Sequence, residues 1–318
     1  MPFGIMADEQ TSVAIMDKAF DAGIDFLDTA EIYPVPPSAR HAGRSEEIVG
    51  KWLKDRPRDA VVIATKVAGP GGGWFVPPVR AGRTALDPHH IERAVDASLK
   101  RLGTDYIDLY QTHWPDPETP IELTLEGLSR VVRAGKVRYV GCSNESAYGL
   151  TRALYVARAS GLPRYDTIQN NYSLMNRRFE DELANVCRRE GVSLLPYSPL
   201  GGGVLSGKYL GGAWPEGARF SRYRHDKKRG EAMSKRFVNE ATLATTDRMI
   251  AIAKECDLAP VTFATAWSMH KDFVGSTIIG ATRPDQLDDI LAAADLALPA
   301  EALSAVDALT REILYPMG

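Results

Sequence analysis

The feature of this sequence that most constrains its fold is a regular alternation of short apolar segments with longer segments of helical period. The short segments, such as AVVIATKV, are rich in β-branched and aromatic residues, as buried strands are. The longer ones, such as HHIERAVDASLKRLG, repeat apolar residues every three or four positions, as amphipathic helices do. This alternation predicts an α/β fold, with one parallel sheet covered by helices.

Seven segments of strand type follow one another along the 318 residues, and no change of composition marks a boundary between domains. They are IDFLDTA, AVVIATKV, YIDLYQTHW, VRYVGCSN, DTIQNNYS, VSLLPYSPL and STIIGAT. We therefore predict a single domain over residues 1–318. A closed (β/α)8 barrel needs eight strands, whereas an open doubly wound sheet does not. The seven segments by themselves are compatible with both architectures.

Composition excludes several classes of partner. The formal net charge of -3 gives no overall attraction to nucleic acid or to anionic lipid. No apolar run reaches the ~20 residues that cross a bilayer, and MPFGIMADEQ lacks the basic and apolar regions of a signal peptide. Cys142, Cys187 and Cys256 have no C-x-x-C spacing, so we interpret them as reduced thiols and expect no zinc site. We expect a cytoplasmic protein that binds no nucleic acid, membrane or metal; the sequence does not indicate its oligomeric state.

Polar side chains stand where the predicted strands end. The stretch DFLDTAEIY contains Asp28 and Tyr33, Lys66 ends the next strand, and His113 follows the third. Alone, each has an ordinary explanation, as a turn aspartate, a rim tyrosine, a lysine that reaches solvent and a core histidine. Because the carboxyl ends of parallel strands meet at one edge of a barrel, we expect the four side chains to lie together.

Together the four residues form a candidate proton-transfer site. A tyrosine with a pKa of about 10 is a poor acid near neutral pH until a neighbouring cation stabilises its phenolate. Lys66, held by Asp28, can supply that cation, so Tyr33 can donate a proton to a carbonyl oxygen that His113 polarises. No Ser-His-Asp order and no H-E-x-x-H motif accompanies these residues, which argues against hydrolysis.

Seven motifs extend the pattern: DTAEIY, ATKV, YQTHWPD, GCSN, QNNYS, YSPL and IIGATRPDQL. In this order the sequence resembles the aldo-keto reductases, a family of NADPH-dependent (β/α)8 oxidoreductases, from Thr11 onward. It looks closest to the bacterial branch that also resembles voltage-gated potassium channel β subunits. The resemblance implies a TIM barrel, and MPFG begins where the family's N-terminal hairpin and most of its first strand have passed. We therefore expect a barrel that lacks those two elements.

The resemblance also implies roles for individual residues. Asp28, Tyr33, Lys66 and His113 match the family's catalytic tetrad, with Tyr33 as general acid. Residues matching those that bind the nicotinamide are Ser143, Asn144 and Gln169 for its carboxamide and Tyr197 for its ring. Residues near the pyrophosphate are Ser198, Pro199, Leu200, Gly201, Gly202, Ser206 and Lys208. Residues at the adenosine end are Gly280, Thr282, Arg283 and Gln286, where Arg283 would favour NADPH over NADH.

The implied function is NADPH-dependent reduction of aldehydes or ketones, with a small-molecule carbonyl compound as substrate. An NADP(H)-binding regulatory subunit with little turnover is the alternative that the channel-subunit resemblance permits. Trp74, Phe75 and Trp114 suggest an apolar or aromatic substrate pocket, although all three also suit core packing.

Two further alternatives concern single motifs. GGVLSGKY approaches the P-loop pattern of an NTPase, but Tyr209 stands where that pattern requires serine or threonine. Arg283 also suits a solvated position before a helix.

Overall fold

The computed structural model describes residues 2–72, 75–226 and 230–317. These residues form six strands, namely β1 (Phe26–Asp28), β2 (Val62–Val67), β3 (Ile107–Thr112), β4 (Val137–Ser143), β5 (Thr167–Gln169) and β6 (Ser193–Leu194). They form twelve α-helices, namely α1 (Glu9–Asp21), α2 (Arg44–Leu53), α3 (Pro88–Leu102), α4 (Ile121–Arg133), α5 (Ala147–Ser160), α6 (Leu183–Glu190), α7 (Arg219–Tyr223), α8 (Gly230–Phe237), α9 (Glu240–Glu255), α10 (Pro260–Met269), α11 (Asp288–Leu291) and α12 (Ala300–Glu312).

The six strands form one sheet, and their spatial order from β1 to β6 is their order along the chain. Each pairing from β1 to β5 is parallel, which confirms the predicted α/β class with a parallel sheet. One row of partners joins Lys66, Gln111, Gly141 and Thr167 across four strands. Because side chains alternate between the two faces of a sheet, the members of this row share one face.

The seventh predicted strand, STIIGAT, is not a regular strand among the described residues. Within the described residues, one parallel bridge joins Tyr197 to Ile278 in this segment, and another joins Leu194 to Val274 just before it. The N–H of Ile278 donates to the carbonyl of Pro196 at 2.8 Å. Since Pro196 has no N–H of its own, the ladder is interrupted at that point. The expectation of seven strands is therefore wrong by one for the part of the chain that the structure describes.

The chain divides into two compact units. The first comprises residues 2–169, Glu190–Ser193 and Gly280–Leu287, and it contains β1 to β5 with α1 to α5. The second comprises Asn170–Arg189, Leu194–Ile279 and residues 288–317. The interpretation of residues 1–318 as a single domain stays a prediction.

The helices of the first unit begin and end at residues suited to those places. The Asp87 side chain accepts a hydrogen bond from the N–H of His90 at 3.1 Å and caps α3, and Gly103 ends this helix in the left-handed region with φ 65°. The apolar face of α3 buries Ile91 and Leu102 completely, each contributing about 1.5–3 kcal/mol to stability.

The strands beneath these helices are apolar and buried. Only Val62 of β2 is exposed, and every residue of β3 is buried. Polar groups in such strands need partners, so the polar residues of β2 and β3 mark positions with a specific role. In the described parts of the chain, no helix is both long enough and apolar enough to pass through a bilayer.

Candidate active site

Lys66 and Asp28 form a buried ion pair at the carboxyl ends of β2 and β1. The lysine side chain is fully buried, and its Nζ donates to Asp28 Oδ1 at 2.5 Å and to the carbonyl oxygen of Thr29 at 2.8 Å. Burial lowers the pKa of Lys66, and the charge and hydrogen bond of Asp28 oppose that shift. The predicted partnership is therefore present in the structure, and the carboxylate favours the ammonium form of this lysine.

Tyr33 and His113 lie beside this ion pair. The Lys66 Nζ is 5.0 Å from the centre of the Tyr33 ring, and the Tyr33 and His113 ring centres are 5.5 Å apart at an angle of 80°. Burial, followed by the positive charge of Lys66, holds the pKa of His113 well below its usual range. The imidazole is therefore neutral at pH 7, and the structure brings the side chains of the four predicted catalytic residues together.

The chain that carries these side chains continues the strand ladder beyond the ends of the strands. The N–H of Thr29 donates to the carbonyl of Ala64 at 2.9 Å, and the N–H of His113 donates to that of Val67 at 2.9 Å. These backbone hydrogen bonds thus hold Thr29 and His113 in line with the strands that precede them. Positioning of this kind suits catalysis, because side chains on a rigid backbone lose little freedom when a substrate binds.

Apolar residues surround the Tyr33 ring. Tyr33 is buried with Ala30, Ile32 and Ala68, and four partly buried residues pack against this cluster, namely Val35, Phe75, Val79 and Trp114. The Phe75 and Trp114 ring centres are 5.5 Å apart, and those of His113 and Trp114 are 4.6 Å apart. Both described members of the predicted substrate pocket therefore lie next to the phenol; Trp74 lies outside the described residues.

The three residues predicted to bind the nicotinamide carboxamide lie together near the tetrad. The Ser143 Oγ donates to the carbonyl of Gln169 at 2.7 Å. The Asn144 Nδ2 donates to the carbonyl of His113 at 2.9 Å and to Ser143 Oγ at 3.1 Å. The Gln169 Nε2 donates to Asp28 Oδ2 at 2.9 Å. Gln169 thus contacts the Asp28 carboxylate directly.

Sequence reasoning missed two interactions at this site. Gln111 is fully buried, and its Nε2 donates to Asp28 Oδ2 at 3.2 Å. Glu31 is 2% exposed and accepts from Arg80 Nη1 at 2.5 Å, from Arg80 Nη2 at 2.9 Å and from the N–H of Ala68 at 2.6 Å. The available signal for Gln111 was its place in an apolar strand two residues before His113, which predicts a shared face.

The predicted pyrophosphate loop lies in the second unit. Ser198 has a positive φ of 61°, Pro199 is buried, and the carbonyl of Leu200 accepts from the N–H of Gly203 at 2.8 Å. A 3-10 helix over Gly201–Ser206 contains Gly202 in the left-handed region, at φ 65°.

In the rest of this loop, the Lys208 ammonium group lies close to Gly203. Ser206 Oγ donates to the carbonyl of Gly203 at 2.8 Å, and a Cβ on Gly203 would lie 2.6 Å from the Lys208 Nζ. Successive residues in left-handed conformations occur in anion-binding loops, and lysine adds a point charge for phosphate. The residues present in this loop therefore suit a phosphate group.

The P-loop alternative for the same segment is wrong. A P-loop leads directly into a helix, but Leu210–Gly212 is a 3-10 turn and the next described helix begins at Arg219. The hydroxyl of Tyr209 accepts from the N–H of Phe220 at 3.2 Å, so the residue at the magnesium-binding position has a packing role.

The other predicted residue for the nicotinamide ring is Tyr197, also in the second unit. Parallel bridges join Tyr197 to Asn171 and to Ile278. Its role in stacking on the nicotinamide stays a prediction from the sequence.

The predicted adenosine-binding residues lie in the first unit. Gln286 Oε1 accepts from the N–H of Thr282 at 2.8 Å, which fixes the local turn. The Arg283 side chain is 63% exposed and pairs with Asp285 at 3.0 Å. This agrees with the alternative that Arg283 occupies a solvated position before a helix. Gly280 has open space where a side chain would stand. A phosphate bound at Arg283 would therefore compete with Asp285.

Comparison with known proteins finds a matching family and relatives that are similar along most of the chain. Residues 3–311 match the sequence model of the Aldo/keto reductase family. Protein tas of Escherichia coli (strain K12) is 41% identical, over 99% of this chain and 94% of its own length. The uncharacterized oxidoreductase YrpG of Bacillus subtilis (strain 168) is 35% identical, over 95% of this chain and 88% of its own length. A putative voltage-gated potassium channel subunit beta of Schizosaccharomyces pombe is 33% identical, over 94% and 80%.

Proposed function

Because the chain belongs to the aldo/keto reductase family, we propose that it reduces aldehydes or ketones to alcohols, with NADPH as hydride donor and Tyr33 as general acid. The observation that carries this proposal is the fully buried Lys66 ammonium, 2.5 Å from Asp28 and 5.0 Å from the centre of the Tyr33 ring. A cation in this place favours the phenolate that remains after the proton has left.

The proposed proton transfer follows from the environment of each group. Tyr33 donates its phenolic proton to the carbonyl oxygen as negative charge develops there. His113 is neutral, since burial and the Lys66 charge lower its pKa, and a neutral imidazole can donate one N–H hydrogen bond to the same oxygen. The apolar residues around Tyr33 exclude water, which strengthens both interactions.

A bound reduced nicotinamide supplies the hydride for this reaction. The residues present fit that cofactor, because Ser143, Asn144 and Gln169 gather amide and hydroxyl groups beside the tetrad. We propose that these three residues orient the carboxamide. Tyr197, Lys208 and the glycine-rich loop between them are proposed to bind the ring and the pyrophosphate, on the strength of the sequence resemblance.

The preference for NADPH over NADH is also part of the proposal. Arg283 offers a planar guanidinium that suits a 2′-phosphate. Its exposure leaves the guanidinium accessible to a ligand, and Asp285 is the internal partner that a phosphate would replace. Direct comparison of the two dinucleotides in a binding titration tests this preference.

The experiment that tests the proposed activity is steady-state oxidation of NADPH with a panel of aromatic and short aliphatic aldehydes. We expect turnover with at least one aromatic aldehyde, because Phe75 and Trp114 pack against the cluster around Tyr33. Absence of turnover across the panel, in protein that binds NADPH tightly, would contradict the proposed activity.

A second candidate function is that of an NADP(H)-binding regulatory subunit with little turnover. It is favoured by the similarity to the putative potassium channel subunit from Schizosaccharomyces pombe. The same assay separates the two functions, since a regulatory subunit binds NADPH and reduces little or no carbonyl compound.

The remaining parts of the proposal concern architecture and location. Four successive parallel pairings in chain order are typical of a (β/α)8 barrel, which we propose as the complete fold. A cytoplasmic location and a small-molecule carbonyl substrate stay predictions.

A further inference from the structure

Gln111 occupies a central place among the residues described above. It is fully buried in β3, where its register partners are Lys66 on β2 and Gly141 on β4. A primary amide in such a place needs partners for two donors and an acceptor, because an unmade bond costs about 1–3 kcal/mol. The hydrogen-bond partners of the Gln111 amide therefore indicate the role of this side chain.

The neighbouring strand leaves space for this amide. A Cβ on Gly141 would lie 3.3 Å from Gln111 Cγ and 2.4 Å from Thr167 Oγ1. Any larger residue at position 141 would therefore displace Gln111 or the Thr167 side chain. The glycine lets the glutamine lie flat along the sheet towards Asp28 and Gln169.

The orientation of the two glutamine amides follows from the chemistry of Asp28. A carboxylate can only accept hydrogen bonds, so each amide must turn its nitrogen towards it. Gln111 Nε2 lies 3.2 Å and Gln169 Nε2 lies 2.9 Å from the same oxygen, Asp28 Oδ2. Gln169 Nε2 also lies 3.3 Å from Gln111 Oε1. Both N–H groups of Gln169 therefore point at internal acceptors.

This arrangement gives Gln169 a fixed polarity. With both donors directed at Asp28 and Gln111, the only group it can offer a ligand is the Oε1 acceptor. The N–H₂ of a carboxamide is the matching donor. Asp28 is fixed at the same time, since two amides hold Oδ2 while Lys66 holds Oδ1.

We propose that Gln111 is a positioning residue that couples the acid machinery to the cofactor site, holding Asp28 towards Lys66 and holding Gln169 as an acceptor for the nicotinamide carboxamide. The proposal rests on the proposed reductase function. Gln111 acts through Asp28 and Gln169, the two side chains with which it forms hydrogen bonds.

The first test replaces Gln111 with methionine, which has a similar length and no amide. We expect the Gln111→Met variant to lose about tenfold in kcat/KM and about fivefold in NADPH affinity, since second-layer partners typically matter on this scale. The basic limb of its kcat/KM profile should move to lower pH by roughly half a unit. The reason is that a loosened Asp28 opposes the lowering of the Lys66 pKa less well.

The groups that face Lys66 set the sign of this pH effect. They are Asp28 at the end of β1, Tyr33 after β1, Glu46 on α2 and His113 after β3. The Gln111→Glu variant adds a carboxylate to this set, so its basic limb should move to higher pH. If Gln111 has a positioning role, the basic limb of the kcat/KM profile moves in opposite directions in the two variants. A general loss of packing would leave the basic limb unchanged in both.

Tyr110 provides a matched control on the same strand. It is fully buried next to Gln111 on the other face, and its hydroxyl has no hydrogen-bond partner within the described part of the chain. Tyr110→Phe should leave kcat/KM, NADPH affinity and the pH profile unchanged. Circular dichroism and thermal unfolding will establish whether each variant is folded; if Gln111→Met does not fold, Gln111→Glu carries the test.

The outcomes for Gln111 are separable from those for the function. If the wild type turns over and the Gln111 variants keep its rate, NADPH affinity and pH profile, the coupling is refuted and the reductase proposal stands. If the wild type binds NADPH without turnover, the reductase proposal fails, and a fivefold loss of affinity in Gln111→Met still supports the link to Gln169. Unchanged affinity in that case overturns the link, and a wild type that does not bind NADPH overturns both.

Discussion

The Nζ of Lys66 lies 2.5 Å from Asp28 Oδ1, and no part of the lysine side chain is exposed to solvent. The apolar interior makes each charge dependent on the other, because a buried ion without its partner costs several kcal/mol. Loss of either partner should therefore destabilise the first unit, and the Lys66 ammonium also contributes to the acidity proposed for Tyr33.

These two contributions can be separated by a mutant cycle. Lys66→Met should lower the free energy of unfolding by about 3 kcal/mol, because it leaves the Asp28 carboxylate buried without a cation. The double variant Lys66→Met/Asp28→Asn should recover roughly half of that loss, yet remain inactive in NADPH oxidation. Urea unfolding followed by circular dichroism measures the cycle. Equal stability of the wild type and Lys66→Met would show that the ion pair is not buried as described.

His113 should make the stability of the protein depend on pH. Its pKa is well below the usual value in the folded state, whereas the unfolded chain has a pKa of about 6.5. The unfolded state therefore binds the proton more readily. The contribution is fully present above pH 6.5 and is lost as the pH falls through the folded pKa.

The corresponding experiment compares urea unfolding at pH 7.5 and pH 5.5. His113→Asn should lose less stability between these pH values than the wild type, by about 1 kcal/mol. His89, which is exposed on α3, gives the control variant His89→Asn, and its loss should equal that of the wild type. Desolvation lowers the pKa of His270 too, so part of the dependence should remain. If His113→Asn and the wild type lose the same stability between pH 7.5 and pH 5.5, the pH dependence does not come from His113.

Arg80 should affect the substrate more than the cofactor. Its ion pair with Glu31, at 2.5 Å, fastens the loop that carries Phe75 and Val79 against the Tyr33 cluster. We expect Arg80→Met to destabilise the protein by about 3 kcal/mol and to raise the KM for the aldehyde several-fold, with NADPH affinity unchanged. Arg83→Met, at an exposed position of the same loop, is the control and should leave both constants unchanged. Equal KM values for the aldehyde in the two variants would argue against a role of the Arg80–Glu31 ion pair in holding this loop.

Arg283 should set the choice between the two dinucleotides. Arg283→Ala is expected to weaken NADPH binding about tenfold and NADH binding much less, which corresponds to about 1.4 kcal/mol for the 2′-phosphate contact. Asp285→Asn should strengthen NADPH binding roughly threefold, because it removes the carboxylate that pairs with the guanidinium at 3.0 Å. Fluorescence titrations with both cofactors measure these effects. Parallel losses for NADPH and NADH in Arg283→Ala would exclude the phosphate contact.

The sequence predicts the convergence of the four tetrad side chains because strand ends in a parallel sheet meet at one edge. Lys66 was the most informative of these residues, since an ammonium at the end of an apolar strand requires a carboxylate nearby. The structure contains that contact with Asp28. The catalytic roles that the resemblance assigns to these residues stay predictions.

Other features were beyond sequence reasoning for physical reasons. The Glu31–Arg80 pair joins residues far apart in the chain, and Arg80 and Ala81 have positive φ angles of 48° and 54° that residue preferences do not foretell. Strand pairing beside STIIGAT fails at Pro196, whose missing N–H matters only once the register is known. For Gln111 the sequence could predict the face it shares with His113, but its contacts with Asp28 and Gln169 depend on the register between strands.

The central claim is that Tyr33 donates the proton while other residues hold the cofactor. Tyr33→Phe removes only the hydroxyl from a ring that remains packed against Ala30, Ile32 and Ala68. Steady-state NADPH oxidation and NADPH fluorescence titration should be measured on this variant beside the wild type. We predict a loss of at least a thousandfold in kcat, with NADPH affinity within about twofold of the wild type, since the general acid is lost and the binding groups are kept. Retained turnover in Tyr33→Phe would contradict the account.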